Sequence, residues 1–419
     1  MKLKYNIEDR LPFGQMMLYA VQWFILAVAV VATSVFVATG TPGEKLFYAQ
    51  KLFAVMGVTG LLQVVVGHRM PLVVGPAAVL LVGVMSSLGA GARPEAIYSS
   101  IALGGVLIAL LTIGGAMRYV QRLFTPRIVV VILMLIAFTL SPVIKGLIFP
   151  IGATADENLF GLLFALVGCP MMVILNRTLR GVAKSLVIPI ALVAGSVIYY
   201  ALFDAAQRVT EDVSLEAFFL GSFSFDWGLV VAFVICFIAL LINDIGSIES
   251  LGAMLQTKDM DARLRRGVRI TGVMNIVAGS MGVLGPVNYS MSPGVIASTG
   301  CASRRALIPA TVLLMLCALS PDLIWVLTNI PNSVIGVILL FLMGTQLAAS
   351  FEMLHSTRSV QSFADGLTVG LPLMMAMLFQ LMPRGIVPSV IEPLVGNGFA
   401  MGVIVVMVME HVVNRSSAK

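Results

Sequence analysis

The sequence predicts an all-α polytopic membrane protein with 14 transmembrane segments, arranged as a 7+7 inverted repeat. Three observations carry this. Of 419 residues, 59% are hydrophobic and 11% charged, against about 45–50% and about 25% in soluble chains. The apolar residues fall in blocks close to the roughly 20 residues that a membrane-spanning helix needs. The basic residues gather in alternate connections between blocks, as the cytoplasmic side of a membrane protein requires.

The first seven segments read as about 14–38, 47–67, 71–89, 96–117, 128–148, 158–176 and 183–203. The second seven read as about 226–254, 268–283, 285–302, 306–328, 332–353, 363–383 and 388–412. With the N-terminus inside, the inner connections hold 20 of the 26 basic residues. Lys45, Lys51, Arg93, Lys145, Arg208 and Arg384 remain outside. The expectation is a multi-pass protein of the cell inner (plasma) membrane with both termini cytoplasmic. The charged N-terminal stretch lacks a cleavage pattern, so the first segment reads as a retained signal anchor.

The longest polar interval, about 204–225, divides the segments into two sets of seven. Seven is odd, so the second set enters from the opposite side, the geometry of an inverted repeat. The third segment of each set is interrupted: Pro71-Leu-Val-Val-Gly75-Pro76-Ala77-Ala78 in one, Gly285-Pro286-Val-Asn288-Tyr289-Ser290-Met291-Ser292-Pro293-Gly294 in the other. Proline removes a donor and clashes with the preceding turn, so neither helix runs straight through. Irregular backbone at membrane depth is tolerated only inside protein or along a cavity. Paired interruptions therefore point to a transport site.

Polar residues within apolar blocks supply the candidate substrate-binding positions. Gln22 and Trp23 lie deep in the first segment and offer an amide and a flat ring to a planar ligand. Asn243, Asp244, Ser247 and Glu249 lie on the eighth, where acids are costly and usually functional. Asn243 and Ser247, at i and i+4, share a helix face. Asp244 and Glu249 are the coupling candidates; Glu249 alternatively sits near the cytoplasmic end opposite Arg263–Arg269. Tyr289, Ser290, Met291 and Ser292 occupy the tenth-segment break, and Ala77 and Ala78 the third. Helices starting near Pro76 and Pro293 would aim free amides at the breaks, favouring an anion or a carbonyl oxygen.

Other chemistries lack their residues. The sequence has no HExxH, phosphate-binding loop or nucleophile elbow, so no enzyme and no catalytic residue is expected. Cys169, Cys236, Cys301 and Cys317 show no paired spacing and read as buried free thiols, with neither a metal site nor a cofactor. His68, His355 and His411 fall in or near loops and are not expected to ligate metal. The net charge of +6 follows from inside connections, and nucleic acid is not an expected partner. Gly104-Gly105 and Gly114-Gly115 permit close helix packing.

These residues resemble the nucleobase–ascorbate transporters, or nucleobase:cation symporters of the second kind, which include bacterial uracil and xanthine permeases. The family signature, Gln/Glu/Pro-Asn-x-Gly-x-x-x-x-Thr-Arg/Lys/Gly, aligns with Met291-Ser292-Pro293-Gly294-Val-Ile-Ala-Ser-Thr299-Gly300. Gly294, Thr299 and Gly300 match, and the first two positions differ. Gln22-Trp23 stands for a frequent Gln-His, and Asn243 for the common eighth-segment Glu, with Asp244 beside it. Gly75-Pro76-Ala77-Ala78 corresponds to a Gly-x-Ser-Phe segment, and Tyr289 to a Tyr of uracil permeases.

The resemblance implies short strands in segments 3 and 10, a core domain and a gate domain, and a homodimer. The core would comprise 14–117 and 226–329, the gate 127–203 and 331–413. The expected function is secondary active transport of a planar nucleobase-like heterocycle of the uracil or xanthine type. Its partners would be that small molecule, the lipid bilayer and a coupling proton or sodium ion. The alternative on the same fold is transport of a small inorganic or organic anion. The sulfate-permease and bicarbonate family shares the architecture but usually carries a further cytoplasmic domain, whereas this chain stops at Lys419.

Overall fold

The computed structural model describes residues 3–113, 125–179, 183, 186–203, 218–289, 292–383, 385–388 and 391–414. The first set of elements is α1 (Phe13–Ala32), α2 (Pro42–Val65), β1 (Val74–Pro76), α3 (Ala78–Gly89), α4 (Pro94–Leu111), α5 (Pro126–Thr139), α6 (Ser141–Ile148), α7 (Ala155–Thr178) and α8 (Val187–Leu202). The second set is α9 (Trp227–Met254), α10 (Met260–Ser280), β2 (Pro286–Asn288), α11 (Ser292–Thr299), α12 (Leu307–Ala318), α13 (Pro321–Thr328), α14 (Asn332–Ser356), α15 (Phe363–Gln380), the single turn α16 (Glu392–Val395) and α17 (Gly398–Val408). Helix is the only regular element that satisfies its own backbone in lipid. Its ends still need partners. Thr41 with Glu44, Thr154 with Glu157 and Ser362 with Asp365 form capping boxes at the starts of α2, α7 and α15, satisfying two donors each.

Among the described residues, eight helices are long and apolar enough to cross a membrane, or nine counting the bent pair 304–318 and 321–328. The remaining segments depart from that form for visible reasons. Helix α10 carries Arg263, Arg265, Arg266 and Arg269 in its first half. Helices α3, α8 and the stretch 398–413 are apolar but short, and α11 has 8 residues. The eleventh segment, expected to run unbroken over about 306–328, instead bends by 102°. Ser320 caps Leu323 N and Pro321 takes the first helical position, so a new helix starts there.

The repeat is legible in the packing. Helix α4 packs on α10, and α2 on α12. Segments 4 and 9 become 11 and 2 when the halves are exchanged, so these are one contact made twice. Likewise α1 lies on α12 as α9 lies on α4. Glycines let these helices meet backbone to backbone. A Cβ on Gly105 would lie 2.6 Å from Ile276 N, and one on Gly272 2.6 Å from Ala109 N. Another contact set joins α14 to α5, α6, α7 and α8, and α17 to α5 and α15.

The two interrupted segments meet as an antiparallel pair, with Val74 opposite Asn288, Gly75 opposite Val287 and Pro76 opposite Pro286. Both prolines fall in a non-hydrogen-bonded pair of the ladder, so neither costs it a donor. Ala77 N then bonds Gly285 O at 2.9 Å, and α3 begins. At the far end of α11, Lys4 N and Tyr5 N donate to Gly300 O, and Ala302 N to Tyr5 O. The N-terminal segment thereby fixes that end of the half-helix. The thiols match expectation except that Cys169 is only half-buried; all four are free.

Candidate functional site

The site grows from the strand crossing. Tyr289 N donates to Val73 O at 2.9 Å, and the Tyr289 hydroxyl to Pro76 O at 2.6 Å. The ring is thus held at both ends across the other broken segment. Ser292 Oγ accepts from Val73 N at 3.0 Å and donates to Tyr289 O at 3.3 Å. Gly75 is glycine because a Cβ there would lie 2.6 Å from Val30 Cγ1 and 2.7 Å from Tyr289 Cε2. Side chains of the second break therefore supply partners that the interrupted first helix lacks.

Helix α9 runs past this crossing. Asp244 is 0% exposed and Ser247 1%. Asn243 is half-buried, while Gly246, Glu249 and Ser250 are exposed. One step of about 100° thus separates the accessible edge from the buried face. Asp244 Oδ1 accepts from Asn288 N at 3.1 Å and from Asn288 Nδ2 at 2.8 Å. Asn288 Oδ1 lies 3.1 Å from His68 Nε2. His68 Nδ1 accepts from Met70 N at 3.0 Å. Asp244 Oδ2 makes no hydrogen bond within the described residues; the Thr271 side chain is a further polar neighbour of the carboxyl group. Gln63 Nε2 donates to the Thr271 hydroxyl at 3.0 Å and to Gly267 O at 2.9 Å. Asn275 Nδ2 bridges Thr271 O and Pro286 O.

His68 lies in a loop, as the sequence suggested, yet it is not on the surface. It sits fully buried on the turn between α2 and β1. Burial pushes its imidazole down to about 4, so the ring is neutral at physiological pH. The turn is clasped from α10: Arg263 donates to His68 O and Arg69 O, both at 2.9 Å, and Arg266 to Gly67 O. Helix C-terminal carbonyls lack partners of their own, and arginines suit them.

The structure thus gathers Ala77, Asp244, Tyr289 and Ser292 at the crossing, with Ala78 opening α3 and Asn243 on the accessible edge of α9. Gln22 is 5% exposed on α1. Trp23 is 2% exposed and lines a gap of about 10 Å³ with Ala27, Met56, Gly60, Leu307 and, from the first broken segment, Val73 and Val74. Depth along a helix does not say which face a residue occupies. Glu249 lies on the exposed face of α9, away from Asp244. Ser290 and Met291 lie outside the described residues. Sequence reasoning missed Asn288 and Thr271 as polar neighbours of Asp244, and His68 behind Asn288. Asn288 was visible inside the Gly-Pro interruption, and an Asn beside a break is the signal that would have found it.

Two of the larger cavities among the described residues lie beyond the crossing. One of about 540 Å³ is lined by Phe36, Met85, Ser86, Gly146, Gln380 and Glu392, joining the ends of α1, α3 and α15. The other, about 400 Å³, includes Phe36, Lys45, Trp325 and Asn329. Phe36 stands between them.

Known proteins bear on this geometry. A xanthine permease of Bacillus subtilis (strain 168) is 25% identical over 394 residues, covering 90% of this chain and 88% of that protein. A putative purine permease of Clostridium perfringens (strain 13 / Type A) is 22% identical over 429 residues, covering 99% and 94%. Among solved structures, the transmembrane domain of a cyanobacterium bicarbonate transporter, BicA, superposes with a TM-score of 0.64 at 14% identity, covering 96% of this chain and 100% of that one. The murine Slc26a9 anion transporter in its inward-facing state also gives 0.64, at 13% identity, covering 99% and 70%. These likenesses establish the inverted-repeat fold. A family model described as the permease family, Xan_ur_permease, matches residues 14–385. With that match spanning most of the chain, this multi-pass membrane protein belongs to the xanthine/uracil permease family and is a transporter, not an enzyme.

Proposed function

We propose that the chain is a secondary active transporter of a planar, nucleobase-like heterocycle of the xanthine or uracil type, driven by a proton or sodium gradient. The family match and the purine-permease relatives support the substrate class. The observation that carries the mechanism is the crossing of two half-helices beside a buried carboxylate, the arrangement from which alternating-access transporters build their sites. Substrate would lie against Asn243, Tyr289, Ala78 and the amides opening α3 and α11, with Gln22 alongside and Ser290 and Met291 on the connecting stretch. Trp23 would form the wall behind it. Segments 1–4 and 8–11 would move as a core against a gate of segments 5–7 and 12–14, within a homodimer in the plasma membrane whose termini are cytoplasmic.

Asp244 is the coupling group in this reading. A carboxylate removed from water is costly to keep charged, so proton binding and release there accompany the change of face. Asp244→Asn is expected to abolish pH-driven accumulation in proteoliposomes while sparing substrate exchange; unchanged accumulation would remove Asp244 from the mechanism. The substrate class is tested by thermal shift of the purified protein. Stabilisation by xanthine or uracil is expected. Stabilisation by bicarbonate or sulfate alone supports the anion reading, which the helix N-termini at the crossing also suit.

A further inference from the structure

We propose that His68 is a positioning residue for Asp244, acting through the Asn288 carboxamide in its neutral, Nε2-protonated tautomer. The hydrogen bonds fix each group in turn. Met70 N–H points at His68 Nδ1 at 3.0 Å, so Nδ1 is an acceptor and carries no proton. A neutral ring then holds its proton on Nε2, which donates to Asn288 Oδ1 at 3.1 Å. Once its oxygen is committed to His68, the carboxamide must turn its Nδ2 toward Asp244 Oδ1, at 2.8 Å. Without His68, either end of the carboxamide can face the carboxylate, and one of them places oxygen against oxygen.

The ring is held tightly enough to act this way. A Cβ on Gly267 of α10 would lie 3.2 Å from His68 Cβ and 3.4 Å from its Cδ2, so glycine there admits the imidazole. The charged groups around it are Asp244 on α9, Arg263 and Arg266 on α10, and Arg69 on its own turn. The arginines Arg263 and Arg266 are engaged with carbonyls of that turn. Arg304 serves the same end of α2 through Val64 O while pairing with Glu8. The imidazole is thus left to Met70 and Asn288. Its location also matters for function, because it joins α9 to the α2–β1 turn through the strand that forms the crossing.

The functional consequence rests on Asp244 being the coupling group, and the test separates the two. Nitrogen-15 NMR of the histidines in the purified full chain is expected to show His68 neutral and Nε2-protonated between about pH 5 and 8, where a free imidazole would titrate. The chain has 3 histidines, so His68→Gln assigns the signal. Asp244→Asn is expected to shift the His68 Nε2 resonance, because the new carboxamide can reorient Asn288. An Nδ1-protonated ring, an imidazolium, or no shift on Asp244→Asn overturns the proposal whatever the substrate proves to be. In proteoliposomes, His68→Leu is expected to lower gradient-driven accumulation of labelled xanthine about tenfold, equivalent to one pKa unit at the coupling group, with counterflow retained. His68→Gln, which keeps a donor for Asn288, is expected to restore accumulation. Equal loss of both activities, or no rescue by glutamine, contradicts the positioning role. If the wild type exchanges no nucleobase, the transport reading fails and the NMR result still decides the proposal. The same holds if His68→Leu does not fold.

Discussion

Adding one methyl group at Gly75 probes the crossing where the two halves meet. The new Cβ would stand 2.6 Å from Val30 Cγ1 and 2.7 Å from Tyr289 Cε2. Neither neighbour is a loose side-chain end. Val30 is a β-branched residue of α1, and Tyr289 is tied by its amide to Val73 and by its hydroxyl to Pro76. Overpacking of this kind costs about 1–3 kcal/mol. Moving the ring by about 1 Å also takes the 2.6 Å hydroxyl contact out of hydrogen-bond range, adding about 1 kcal/mol. Gly75→Ala is therefore expected to cost about 2–4 kcal/mol. Tyr289→Phe alone should cost about 1–3 kcal/mol, since it leaves the Pro76 carbonyl without its donor. In the double variant that bond is already gone, so the two costs should fall short of their sum by about 1 kcal/mol. Reversible unfolding of the four proteins in mixed micelles measures the cycle. Strict additivity, or a Gly75→Ala protein as stable as wild type, would show that the ring is not held as described.

Arg127 donates to Asp365 and Glu410, both at 2.7 Å, and to Ser359 O, joining the charged ends of α5, α15 and the stretch after α17. The groups are 11–22% exposed, so Arg127→Leu should cost about 2 kcal/mol in unfolding, less than a fully buried pair; lysine, lacking the fork, should recover less than half. Gly272→Ala brings a Cβ within 2.6 Å of Ala109 N, whereas Gly344 has nothing within 4 Å. Thermal melts should show the first variant destabilised by about 3 kcal/mol and the second unchanged or slightly improved. His68, held at about 4 by burial, binds a proton less readily folded than unfolded. Its contribution is full above about pH 6.5 and is lost as pH falls toward 4. The stability gap between wild type and His68→Gln should therefore narrow over that range, as melting curves against pH would record.

What the residues alone disclosed follows from which signals are local. Gly75-Pro76 and Gly285-Pro286 announced the breaks because proline excludes a straight helix wherever it stands. The breaks were therefore legible in the sequence. Which face a side chain takes was not. Depth alone leaves the face of Trp23 open, because hydrophobicity all round a membrane helix leaves no polar stripe to orient it; packing puts it among α1, α2 and α12 beside Val73 and Val74. Asp244 and Asn243 were adjacent candidates, and only packing shows that one is enclosed and the other on the rim. His68 follows the end of α2 and precedes Pro71, a pattern that reads as a loop. It is buried because two arginines of α10, about 200 residues away in sequence, draw its turn inward. Contacts of that range have no signature in composition or periodicity.

Counterflow in proteoliposomes tests the central claim most directly. Vesicles loaded with unlabelled xanthine or uracil are expected to draw in labelled base against its gradient, and Asp244→Asn vesicles to do the same without responding to pH. Vesicles that exchange neither base, while exchanging bicarbonate or sulfate, would contradict nucleobase transport and leave the anion reading in its place.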